Sequence, residues 1–188
     1  MPQTTLSIKE PGLNVLPPGV ERHVVNAGGL SGFQIFPDDE IEIINDEGNQ
    51  ICEVVCFDKD GKSELGILSQ KESNKKSFIK EILKNKDESS LAANLQLKKR
   101  NLKINESKSS ILFDDKTPSG EKIKIKSKDK CYAIFAAPQN DMLVSEQNPS
   151  SDLTIFIKRN KIVNDKELSI IPDPIFEPNY EQNILRQT

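Results

Sequence analysis

One imidazole, three thiols and several acidic clusters are the groups in this sequence with the types to do chemistry. His23, in Val20-Glu21-Arg22-His23-Val24, is the lone histidine, and zinc sites take three or four protein ligands. It would need Cys52, Glu53 and Cys56 beside it. In an extended strand those two cysteines share a face but stand about 13 Å apart at the usual rise, too far to hold one ion. No metal site is expected. A Cys–His nucleophile pair needs a thiolate next to a base, and no local sequence sets one up. Cys131 lies in the apolar run Cys131-Tyr132-Ala133-Ile134-Phe135-Ala136-Ala137, a setting where burial makes a thiol inert. An odd count of cysteines in apolar runs predicts buried, reduced thiols. No residue is assigned as catalytic.

The carboxylates divide into two kinds. Asp38-Asp39-Glu40, Asp46-Glu47 and Asp58 fall at turns, where such side chains bond to their own backbone. Glu53 sits inside the apolar run Ile51-Cys52-Glu53-Val54-Val55-Cys56-Phe57. There a carboxylate must lie on a wet face or be paired, because burying it alone is costly. Asn26-Ala27-Gly28-Gly29-Leu30-Ser31-Gly32 is rich in glycine but has no lysine where a phosphate loop demands one. It reads as a turn, and no cofactor is expected.

The elements that must carry these groups are mostly strands. Residues 1–19 hold four prolines, at positions 2, 11, 17 and 18, and read as an extended lead-in. Val24-Val25 is a short strand candidate. Glu40-Ile41-Glu42-Ile43, the turn cluster Asp46-Glu47-Gly48-Asn49 and the run 51–57 read as a β-hairpin. From Ser73 the period becomes helical, with Phe78, Ile79, Ile82 and Leu83 on one side and Ser73 or Asn74 as cap. A second helical window, Ser90 to Lys99, places Leu91, Leu95 and Leu97 inward. Ile123 and Ile125 alternate with Lys122, Lys124 and Lys126, the pattern of an edge strand blunted by lysine. The run 131–137 is apolar on both faces and should be central; 153–157 is similar. The polar stretch between them contains Asn140 and Asp141, and long connections of this kind often carry function. The expectation is a mainly β, α+β domain, a β-sandwich or barrel-like fold with one or two short helices packed on it, spanning 20–171. A proline-rich linker or tail follows at 172–188.

Hydrophobic residues make up 35% of the chain, low for a globular protein, so part of the length must be polar surface. Lysines crowd the segment from Lys71 to Lys130, whereas 38–60 is acidic and the net charge is −3. Lys75, Lys76, Lys98, Lys99 and Arg100 could neutralise phosphates, but no aromatic residue interleaves them for base stacking. No nucleic-acid partner is expected. No window approaches the roughly 20 apolar residues of a membrane span and no signal-like segment opens the chain, so a soluble, cytoplasmic protein with no membrane partner is expected.

Two stretches resemble a known family. Leu16-Pro17-Pro18-Gly19-Val20-Glu21-Arg22-His23-Val24-Val25-Asn26-Ala27-Gly28-Gly29, with Asp39-Glu40-Ile41-Glu42-Ile43 and Glu47-Gly48-Asn49-Gln50-Ile51-Cys52-Glu53, resembles the opening of the urea-carboxylase-associated family. Ala136-Ala137-Pro138-Gln139-Asn140-Asp141-Met142-Leu143-Val144 and Asn148-Pro149-Ser150-Ser151-Asp152-Leu153 are similar to its closing segment. Members occur ahead of glycine-cleavage T-protein-like aminomethyltransferase domains. Where the family usually has aspartate this chain has Glu53, and where it has Cys-Pro this chain has Ser145-Glu146. The resemblance implies an accessory or degenerate module of an aminomethyltransferase one-carbon system. Such a module would bind a small polar metabolite through Glu53, Asn140 and Asp141, and an aminomethyltransferase domain or subunit would be its partner. Any enzymatic role would belong to that assembly. The alternative is a protein-interaction module that docks through a sheet edge or its lysine-rich face.

Overall fold

The computed structural model of the chain describes residues 16–139 and 149–160. Strands dominate them: β1 (Val20–Val25), β2 (Gly29–Ile35), β3 (Glu40–Asn45), β4 (Cys52–Phe57), β5 (Ser109–Phe113), β6 (Glu121–Lys126), β7 (Cys131–Ala137) and β8 (Leu153–Lys158). They form two antiparallel four-stranded sheets, ordered β1-β8-β3-β6 and β2-β7-β4-β5. Two short helices, α1 (Phe78–Ile82) and α2 (Glu88–Lys99), interrupt the strand sequence between β4 and β5. The mainly β architecture with few helices is the one expected.

Three layers result. Ile41, Ile43, Leu153, Ile155 and Ile157 of the first sheet pack against Phe33, Cys52, Val54, Cys56 and Phe135 of the second. On the second sheet's other face Val55, Phe57, Ile134 and Ala136 meet Ile79, Leu83, Ala93 and Leu97 of the helical layer. The second sheet is thus covered on both sides, which explains why β4 and β7 read as near-continuous apolar runs. Each large aliphatic side chain buried this way contributes about 1.5–3 kcal/mol. That is what holds α1 to the sheet, because five residues of helix are not stable alone. At the opposite extreme β6 is an edge of the first sheet. Its Lys122 and Lys124 both reach Glu42, at 3.6 Å each, as an edge wet on one face predicts.

The structure corrects four readings. First, β3 and β4 are not a hairpin: β3 pairs with β6 and β8, and β4 with β5 and β7. Alternation fixes which face of each strand is buried but not which edge pairs. Here the two apolar faces meet across the core, and residues 46–51 carry the chain from one sheet to the other. Second, the glycine-rich stretch read as a turn breaks only at Ala27 and Gly28, after which β2 runs through Gly32. Third, Leu91 and Leu95 point outward, 58% and 54% exposed, while Ser90, Ala93 and Leu97 face in. Polar bonds set this orientation: Ser90 Oγ donates to the Ile82 carbonyl at 2.9 Å and Asn94 Nδ2 to the Leu83 carbonyl at 2.7 Å, satisfying the end of α1. Fourth, the cap of α1 is Ser77, not Ser73 or Asn74. Most of the lead-in (1–15), Asn140 and Asp141, and the tail beyond Asn160 lie outside the described residues.

Candidate functional site at the Gln50 end

Antiparallel pairing brings the ends of β1, β3 and β7 and the starts of β2, β4 and β8 to one end of the sandwich. Gln50 lies at its centre with no exposed surface. Its Nε2 donates to the Pro138 carbonyl at 2.9 Å and the Ile51 carbonyl at 3.0 Å. Its Oε1 accepts from the Ser151 amide at 2.8 Å. One primary amide therefore ties together the chain on either side of residues 140–148. Asn45 Nδ2 donates to the Gln50 carbonyl at 2.8 Å and fixes the backbone that carries it.

The same end is fastened by further bonds to the β1–β2 turn. The Ala27 amide donates to Asp152 Oδ1 at 2.8 Å, and the Gly28 amide to the Ala137 carbonyl at 2.6 Å. Gly28 has φ +75°, and a Cβ there would stand 3.0 Å from Gln139 Cγ. Glycine answers both the left-handed backbone and the close approach. Thr154 Oγ1 donates to Asp46 Oδ2 at 2.7 Å, so β8 is anchored to the 46–51 crossing as well.

A cleft of about 170 Å³ opens beside this turn. One wall is Ala27 to Leu30; the other is Ile82 with the start of α2, where Asn85, Asp87 and Ser89 present polar groups. Pockets for drug-sized ligands begin at roughly 300 Å³, so this one suits a molecule of a few heavy atoms. Asp87 caps α2, accepting from the Ser90 amide at 2.8 Å and from Ser90 Oγ at 3.1 Å. Above all the Ser90 amide bond holds its carboxyl below the usual carboxylate range, so the cleft carries a fixed negative charge at neutral pH. Leu30 and Ile82 give it an apolar side.

Glu53 is completely buried. Its Oε2 accepts from the Ile79 amide at 2.6 Å, in the first turn of α1, and its Oε1 has no hydrogen-bond partner. Of the two arrangements open to a carboxylate in an apolar strand, pairing and not a wet face is the one realised. Strand register puts Glu53 in one cross-strand row with Ala136 and Leu30. It is separated from the cleft wall by two strand spacings, about 9.6 Å, and does not line the cleft. Asn140 and Asp141, the other two expected pocket residues, lie outside the described residues.

The histidine and the thiols go elsewhere. His23 Nε2 is 3.0 Å from Glu21 Oε2, and its ring lies 4.6 Å from that of Phe33. Glu21 in turn takes two bonds from Arg159, Nε to Oε1 at 2.7 Å and Nη2 to Oε2 at 3.0 Å. Arg159 Nη1 donates to Asp39 Oδ2 at 2.7 Å and to the Gln34 carbonyl at 2.9 Å. Burial alone would raise the Glu21 carboxyl, but the bonds from His23 and Arg159 outweigh it and hold it down at about 2. This network closes the sandwich end opposite Gln50. Sequence reading missed it; the one visible hint was that Glu21 and His23 share a face of β1. Cys52 and Cys56 both face the core between the sheets. Burial first, then the charge of Glu53, pushes the Cys52 thiol up, and a bond with Cys131, then burial, raises that of Cys56. Both stay protonated at neutral pH. Among the described residues no three histidine, cysteine or acidic side chains gather as a metal site, and no helix is long and apolar enough to cross a membrane.

No family model matches the chain. Over 177 residues, 94% of its length, the chain is 30% identical to trimethylamine-oxide aldolase of Ruegeria pomeroyi, and it spans 22% of that protein. Nearly all of this chain is therefore similar to one region of a much longer polypeptide.

Proposed function

We propose that the chain is an accessory module of an aminomethyltransferase-type one-carbon system and that the cleft beside Gln50 takes a small methylated amine or amine oxide. One observation carries the reading. Of the stretches that resemble the urea-carboxylase-associated family, 16–29, 47–53, 136–144 and 148–153 are far apart in sequence, yet residues from each close on one another through Gln50, Ala27 and Asp152; the remaining stretch, 39–43, leads to the Arg159 end. The similarity to trimethylamine-oxide aldolase supplies the substrate class. A methylated nitrogen suits the place: positive charge faces Asp87, methyl groups face Leu30 and Ile82, and Asn85 and Ser89 offer hydrogen bonds.

The accessory role rests on how the other reactive groups are held. The Cys52 and Cys56 thiols stay protonated, and Glu21, Asp39 and Arg159 are bound to one another. Turnover on this reading belongs to an assembly with an aminomethyltransferase domain or subunit, in the cytoplasm. Glu53 has a spare buried oxygen but does not line this cleft; Asn140 and Asp141 remain proposed as ligand-binding residues.

Thermal unfolding with trimethylamine oxide, trimethylamine, dimethylamine, glycine, urea and folates tests the reading. A ligand at about a hundred times its dissociation constant adds roughly 2.7 kcal/mol, or roughly 5–10 °C for a chain of this size. Methylated amines or the amine oxide should give that shift, and Asp87→Asn, which keeps the helix cap, should remove it. No shift with any compound would refute the proposal.

A further inference from the structure

A second depression lies away from the Gln50 end, between α1, α2 and the segment that follows α2. It is a groove of about 360 Å³. Its floor is apolar, formed by Leu83, Leu97 and Leu102, each less than a tenth exposed. Its rim carries four lysines, Lys80, Lys84, Lys98 and Lys103, against one acid, Glu106. Lys80 Nζ is tied to the Asn105 and Ser107 carbonyls at 3.0 and 2.8 Å, and Lys103 stands 3.9 Å from Glu106. Lys84 and Lys98 are exposed and have no ion-pair partner among the described residues. Along α2 the helical spacing sets Leu91 and Leu95 beside Asn94 and Lys98 of the groove wall. These two leucines are the large apolar side chains of α2 left in water, at 58% and 54% exposure.

We infer that this groove and the adjoining Leu91–Leu95 strip dock an acidic, apolar-anchored segment of a protein partner. Charge complementarity selects the sign: the rim presents unpaired ammonium groups over an apolar floor, so a segment with leucine-like anchors and flanking carboxylates satisfies both. Extent selects the class. A small anion would fill the groove and leave Leu91 and Leu95 in water, whereas a segment laid along α2 covers both, as amphipathic segments do in apolar grooves. A nucleic acid gains nothing from two exposed leucines, and the groove has no aromatic side chain for a base to stack on. The inference rests on the module reading in one respect. The similar region of trimethylamine-oxide aldolase is 22% of a longer chain, and a module of a larger assembly needs a face by which it is held.

Fluorescence anisotropy on the full chain tests this with a labelled amphipathic peptide of about 18 residues, leucines at helical spacing and glutamates elsewhere, and with a twin carrying lysine for glutamate. The glutamate peptide should bind, the lysine twin should not, and affinity should fall as salt rises. Leu91→Ser with Leu95→Ser, and separately Lys84→Glu with Lys98→Glu, should each weaken binding at least tenfold while leaving the unfolding midpoint of these exposed-site variants unchanged. Asp87→Asn should not alter peptide affinity, which separates this surface from the cleft. The docking face is refuted if the glutamate peptide fails to bind, if both peptides bind alike, or if the leucine pair has no effect. Octanoate or a short RNA binding at the lysines, indifferent to the leucine pair, would refute it equally.

Discussion

The two ends of the sandwich are closed by different chemistry. At one end a buried guanidinium, Arg159, gathers Glu21, Asp39 and the Gln34 carbonyl. At the other a neutral amide, Gln50, gathers Pro138, Ile51 and Ser151. Both join strands of the two sheets where backbone ladders stop. Ionic closure fails on loss of one partner, which leaves the others buried and uncompensated, and it answers to pH. Amide closure is indifferent to pH and leaves no charge to compete with a ligand next door. The cleft opens at the Gln50 end, where Asp152 and Asp46 also bond the Ala27 amide and Thr154, and the charge that lines the cleft, Asp87, comes from the helical layer.

The largest effect should come from Arg159→Met, which strips the buried Asp39 and half-buried Glu21 of their cation. Breaking a buried pair in this way costs about 3–5 kcal/mol, read as a fall in the urea midpoint. At the other end Gln50→Leu leaves the buried Pro138 carbonyl and Ser151 amide unpaired and should cost about 2–4 kcal/mol. Its deficit should be the same from pH 7 to pH 3. If instead the Gln50 variant became relatively more stable in acid, the contrast between the ends would collapse.

Acid titration sharpens the same contrast with a smaller effect. The Glu21 carboxyl sits at about 2 in the folded chain against 4.5 for the ordinary group, so the folded state favours its charged form. Its contribution is complete above about pH 4.5 and is lost as pH falls towards 2. Partial exposure of Glu21 discounts it to on the order of 1–2 kcal/mol. Urea unfolding of the native chain should show this loss between those values, and Glu21→Gln should flatten it. Smallest of all, Gly28→Ala should cost about 1 kcal/mol or slightly more, from the left-handed backbone and the Gln139 contact. It should also reduce ligand affinity at the cleft wall without touching the Arg159 end.

Much of the fold was legible because it depends on local pattern. Two-sided apolarity in 131–137 marked a strand covered on both faces, and lysine alternation in 121–126 marked an edge. Pairing was not legible: the alternation of 40–43 and 51–57 suits a hairpin and a sheet-to-sheet crossing equally, and the partner of each edge is set by strands that come much later. β2 was hidden because Gly29 and Gly32 signal a break, although small residues are what a strand packed on both faces can use. The face of α2 was misread because Ser90 and Asn94, not the leucines, bind the end of α1.

The site was less legible still. Gln50 gains its role from groups 88 and 101 residues away, and Arg159 finds Glu21 at a separation of 138. A lone glutamine or arginine carries no mark of such partners. Glu53 stood out as an acid inside an apolar run, and the structure buries it against the Ile79 amide and not on a wet face. The helix that holds its partner, the Ile79 amide, was legible, but its contact with a strand 26 residues earlier was not.

The most direct test of the account is a two-dimensional amide NMR titration of the 188-residue chain with trimethylamine oxide and with trimethylamine. Saturable shifts confined to the amides of 27–30 and of Asn85 to Ser90, with those around Arg159 unmoved, are the predicted result. Saturable shifts centred on another part of the sandwich, or none with either compound, would contradict a ligand cleft at the Gln50 end.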